Sequence, residues 1–67
     1  MKLRTLMARR LREYRHKRGF TQHQLAEQAG LSRGYLARLE IAMQDPTLST
    51  LKKLAAALRV KVTKLIE

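Results

Sequence analysis

Arg33 and Arg38 are the residues of this chain best suited to selective chemistry, because a guanidinium can hold guanine O6 and N7 through two hydrogen bonds. On a helix of 3.6 residues per turn, their spacing of five amounts to a rotation of about 500 degrees. Both then lie on neighbouring strips of one face. Ser32, just before them, is a good N-cap, so the same helix start would offer backbone N–H groups to a phosphate. No comparable set exists for catalysis. The acids Glu13, Glu27, Glu40, Asp45 and Glu67 are scattered without a carboxylate pair, and no serine-histidine arrangement appears. The chain has no cysteine, and His16 and His23 lack zinc-ligand spacing. These absences predict a non-enzyme that holds neither metal nor cofactor.

Presenting such a face requires a helix anchored from behind. In the window Gln22 to Ile41, Leu25, Leu36 and Leu39 supply the anchors, Ala26 is small where two helix axes meet, Gly30 turns the chain and Leu31 plugs the corner. Thr21 with Gln24 three residues on forms a capping box for a helix over 22–29. The next helix starts after Ser32, which leaves Arg33, Gly34, Tyr35, Ala37 and Arg38 facing outward. Upstream, Leu3, Leu6, Met7, Leu11 and Tyr14 recur at helical spacing and predict a helix over 3–18, ended by Gly19. Downstream, 41–46 reads as a loop, and Thr47 caps a helix over 48–58 with Leu48, Leu51, Leu54, Ala55 and Leu58 inward. Val62, Leu65 and Ile66 predict one further helical turn or two.

At 67 residues this is one domain over 1–67, burying only about 60% of its unfolded surface. No apolar run approaches the roughly 20 residues of a membrane span, nor does a secretory core follow the basic N-terminus. A cytoplasmic protein without membrane contact is expected. Fifteen lysines and arginines against five acids give a net charge of +10, the footprint of a polyanion binder. Eight of those cations precede Gly19.

With these residues in place, the sequence resembles the lambda/Cro repressor-like (XRE-type) helix-turn-helix family along nearly its whole length. The matching positions are Arg15 with Gly19, Thr21-Gln22 with Leu25-Ala26, Gly30-Leu31-Ser32, Glu40, Pro46-Thr47-Leu48, Thr50-Leu51, and Leu54-Ala55 with Ala57-Leu58. The resemblance implies an all-α, compact five-helix DNA-binding domain whose second and third helices form the helix-turn-helix. It implies a bacterial or phage-encoded, nucleoid-associated regulator, a repressor in the simplest case, binding double-stranded DNA as a homodimer on an inverted repeat. Gln22, Arg33, Gly34 and Arg38 then occupy base-reading positions. Thr21, Ser32, Tyr35, Gln44, Arg10 and Lys52 fall to the DNA backbone, and Arg15 and Glu40 form a partly buried structural ion pair.

Four positions, Ala42, Met43, Arg59 and Lys61, depart from the family pattern. Ala42 replaces a common glycine, which predicts a strained or reshaped loop. Met43 replaces a common cation, shifting phosphate contact towards the first helix and Lys52 or Lys53. Arg59 and Lys61 replace a glycine and a small cap, which predicts fraying of the C-terminal turn. Gly34 brings no side chain, which predicts close backbone approach or a water-mediated contact. The alternative reading is an antitoxin or adaptor whose main partner is a protein. Val62, Leu65 and Ile66 are either core or the contact between copies.

Overall fold

Hydroxyl side chains open three of the four helices. The structure, a computed structural model, describes residues 2–67; Met1, the first residue of the expected domain, lies outside the described residues. Its helices are α1 (Leu3–Lys17), α2 (Gln22–Ala29), α3 (Arg33–Glu40) and α4 (Leu48–Leu58), and there is no strand among the described residues. At α2 the Gln24 N–H donates to Thr21 Oγ1 at 3.1 Å, and the Thr21 N–H donates to Gln24 Oε1 at 2.8 Å, a complete capping box. The Tyr35 N–H donates to Ser32 Oγ at 3.1 Å, and the Thr50 N–H to Thr47 Oγ1 at 3.0 Å. Each bond satisfies a donor that the helix start leaves unpaired.

All four helices close in one way: a residue of positive φ bonds back three positions and the next residue bonds back five. The closing residues Gly19, Gly30, Ala42 and Arg59 have φ of +71°, +70°, +59° and +57°. Two of these left-handed positions therefore carry side chains. The residues that follow three of the closures, Phe20, Leu31 and Val60, fold back onto the core, whereas Met43 stays 70% exposed.

The core joins Met7 and Leu11 of α1, Leu25, Ala26 and Ala29 of α2, Leu36 and Leu39 of α3, and Leu51, Leu54, Ala55 and Leu58 of α4. α2 packs on α3 and α4, and α1 packs on α3. Three members of the expected apolar stripes, Leu3, Leu6 and Leu48, are not in it. Leu3 and Leu48 are each the first residue of a helix, overhang the packed region and remain mostly exposed.

The expected fifth helix is a correction. The segment after α4 forms one 3-10 turn, Val62–Leu65, held by Lys64 N–H to Lys61 O and Ile66 N–H to Thr63 O. So few residues favour three-residue bonds over the costly nucleus of an α-helix. The turn does not depend on length for its place, because it delivers Leu65 fully buried against α1 and α4. Val62 and Ile66 pack half-buried against the same core, so of the three apolar residues at this end only Leu65 is fully enclosed.

A left-handed L-residue costs about 1–2 kcal/mol, part of which glycine gives back through the entropy of its unfolded chain. Ala42→Gly and Arg59→Gly are each expected to stabilise the domain by about 1 kcal/mol, raising the melting temperature by roughly 4–8 °C. Ala56→Gly, on the exposed side of α4, should lower it. Thermal unfolding followed by circular dichroism checks all three; no gain at Ala42 or Arg59 would show that the strain is absorbed elsewhere.

Candidate nucleic-acid interface

Glu40, the last residue of α3, is 1% exposed, and its carboxylate accepts three hydrogen bonds. Arg15 of α1 grips it with two donors, Nε to Oε2 at 2.7 Å and Nη2 to Oε1 at 3.0 Å. Gln22, the first residue of α2, donates its Nε2 to Oε1 at 3.1 Å. Arg12 donates to the Glu40 backbone carbonyl, and the remaining Arg15 nitrogen donates to the Phe20 carbonyl at 3.0 Å. Among the described residues no buried polar side-chain atom is left without a partner. The network ties three helices together where α3 ends, fixing both its register and its tilt.

The opposite face of α3 is open. Arg33 and Gly34 are exposed, and Arg38 is exposed with its Nε 3.4 Å from Gln44 Oε1. A Cβ on Gly34 would meet only Arg38 Nη1 at 3.6 Å, an ordinary contact. Nothing inside the fold demands glycine here. Its effect is outward: the helix backbone at Gly34 carries no side chain, and the Arg38 guanidinium lies beside it. Thr21 and Ser32 are exposed at the starts of α2 and α3 with their oxygens accepting cap bonds. Gln44 is half-buried, and Lys52 lies exposed on α4.

Three residues sit differently from the arrangement drawn from spacing alone. Tyr35 is half-buried against the core, its hydroxyl 3.2 Å from Thr50 Oγ1, because the ring spans from α3 to the start of α4. Ala37 is also half-buried, so the fully exposed face narrows to Arg33, Gly34 and Arg38. Arg10 is bound to Glu13 at 2.8 Å and to the Glu67 carbonyl at 2.7 Å, on a side of α1 about 140–200° around from Arg12 and Arg15. It serves the C-terminal segment. Neither the Gln22 link to Glu40 nor the Arg12 link has a local sequence signature, although Arg12 and Arg15, three apart, share a helix face.

Every acid meets a basic side chain: Glu13 with Arg10, Glu27 with His23, Glu40 with Arg15, Asp45 with Arg4 and Glu67 with Lys64. Among the described residues none of these pairs lies on the open face of α3. Its cations meet no carboxylate.

A profile of the HTH_3 helix-turn-helix family matches residues 11–65. The chain is 43% identical over 60 residues to the immunity repressor protein of Bacillus phage phi105, covering 90% of this chain and 42% of that protein. It spans about two-fifths of the length of such curated relatives. The hypothetical transcription factor NHTF from Neisseria superposes with a TM-score of 0.95 at 36% identity, covering 98% of this chain and 76% of that one. SinR, the master regulator for biofilm formation, solved in complex with DNA, superposes with a TM-score of 0.88 at 34% identity, covering 91% of this chain and 98% of that one. No helix among the described residues is long and apolar enough to cross a membrane.

Breaking a buried ion pair from one side strands the other charge, at a cost of about 3–5 kcal/mol. Arg15→Ala and Glu40→Ala should each lose that much in urea denaturation. Arg10→Ala, at an exposed pair, should lose less than about 1 kcal/mol. Equal losses at Arg10 and Arg15 would remove the special place given to Glu40.

Proposed function

This chain belongs to the HTH_3 helix-turn-helix family, and from that premise we propose that it binds double-stranded DNA through α3 in the major groove and represses transcription. One observation carries the reading: the exposed face of α3 presents Arg33, bare backbone at Gly34 and Arg38, with no carboxylate among them. Arg33 and Arg38 read base edges, as their guanidinium groups suit guanine O6 and N7. Gly34 lets the helix backbone come close to the groove wall. Thr21, Ser32, Gln44 and Lys52 contact the sugar-phosphate backbone, with Tyr35 packed beside them. Arg10, already engaged with Glu13 and Glu67, contributes to the field more than to a contact. That the similar chain of SinR was solved in complex with DNA supports DNA as the partner.

Affinity and on-rate come from phosphate neutralisation, whereas operator choice comes from α3. A single domain reads few base pairs, so two copies on an inverted repeat, with half-sites about 34 Å apart, give useful specificity. Leu65 belongs to the core, so a contact between copies uses other surfaces. Occupancy of such an operator would block polymerase.

Selection from a randomised duplex pool at about 150 mM salt, where counterion release weakens non-specific binding, should recover a palindrome with half-sites one turn apart. No consensus from folded protein would overturn the reading and assign the surface to a protein partner. Arg33→Ala should cost about 1–3 kcal/mol on the selected site and relax one base position. Lys52→Ala should weaken specific and random DNA alike and reduce the salt slope by about one.

A further inference from the structure

The Glu40 carboxylate does more than close an ion pair. Ionised and gripped by Arg15, it can only accept hydrogen bonds, so the Gln22 amide must face it through nitrogen. An amide turned the other way would set two oxygens against each other at 3.1 Å, the distance now bridged by an N–H. The fold thus fixes the polarity of a side chain that is ordinarily free to flip. Gln22 is half-buried at the exposed start of α2, between Thr21 and His23, which are both open to solvent. Its Oε1 and its second N–H are the atoms left over for a partner.

We propose that Glu40 is a positioning residue for sequence recognition: it holds Gln22 with its carbonyl oxygen available, so that Gln22 selects a base presenting an amino group in the major groove. Adenine fits both remaining atoms, donating N6–H to Oε1 and accepting from the second N–H at N7, while cytosine offers only its N4 donor. Guanine and thymine present acceptors at the corresponding atoms, O6 and O4, and are disfavoured. A free amide would flip and accept either kind of edge. The inference rests on the reading of α2 and α3 as the DNA-facing pair.

The test compares selected duplexes for the wild-type chain, Gln22→Ala and Glu40→Gln, with folding checked by circular dichroism. The wild type should prefer adenine, or secondarily cytosine, at one position by about tenfold, the scale of a well-made base contact. Gln22→Ala leaves the Arg15 grip in place and should erase that preference alone. Glu40→Gln, whose own amide can turn either way, should relax the same position while the positions read by Arg33 and Arg38 keep their preference. The double variant should lose nothing further there. An unchanged preference in folded Glu40→Gln, or in Gln22→Ala, overturns the proposal and leaves DNA binding intact. Absence of any consensus from the folded wild type overturns DNA reading itself. If Glu40→Gln does not fold, NMR of the wild type decides: the Gln22 amide protons should be well separated with one shifted downfield by the carboxylate, and a pair at unperturbed shifts overturns the proposal.

Discussion

The two-pronged grip of Arg15 on Glu40 is the constraint on which the rest of this molecule depends. α3 is only eight residues long, and a helix of that length has no stability of its own in water. Leu36 and Leu39 press it against the core, but apolar contact is non-directional and would tolerate a slide. A slide of one residue rotates every side chain by about 100° and would carry Arg33 and Arg38 off the open face. The planar fork of the arginine tolerates no such displacement. Removing two charges from water offsets much of their attraction, so the pair adds little as net stability and much as register. Gln22 and Arg12 complete the arrangement by engaging the remaining acceptors around Glu40.

How far the sequence reveals this arrangement follows from the range of the interactions. Thr21, Ser32 and Thr47 bond within their own first turns, so the starts of α2, α3 and α4 are readable from a few residues. Gly19 and Gly30 announce the ends of α1 and α2. The same closure at Ala42 and Arg59 carries no glycine, and only the comparison with a family pattern marks those positions as unusual. Leu3 and Leu48 obey the apolar spacing yet stay exposed, because periodicity gives a face and not the extent of what covers it. The last element, expected as a helix, is a 3-10 turn because burial of Leu65 sets its position while the chain is too short to propagate.

At the candidate site the exposed trio Arg33, Gly34 and Arg38 follows from helical spacing. The tethers do not. Gln22 finds Glu40 across 18 residues, Tyr35 finds Thr50 across 15 and Arg10 finds Glu67 across 57, contacts made by tertiary packing alone. Electrostatics shows the same division. The net charge of +10 is plain in the composition, but its effect at α3 depends on where the five acids go. Folding pairs each of them elsewhere, through mostly exposed contacts that add little stability. The field in front of α3 is thereby left without a local opposing charge.

The two strained closures serve different ends, and the difference bears on what a stabilising change would disturb. At Arg59 the left-handed turn sends Val60 back onto the core and starts the segment that buries Leu65, so its purpose is packing. At Ala42 the following side chain, Met43, stays in solvent and no core residue is gained. The turn instead brings the Met43 N–H onto the Arg38 carbonyl at 2.9 Å and the Gln44 amide towards the Arg38 guanidinium. Strain at a site is tolerated when the surrounding structure over-determines it. Here the Glu40 network fixes the helix end immediately before the turn. The loop conformation is therefore part of how Arg38 is aimed. Relieving it with glycine gains stability at the expense of the restraint on that side chain.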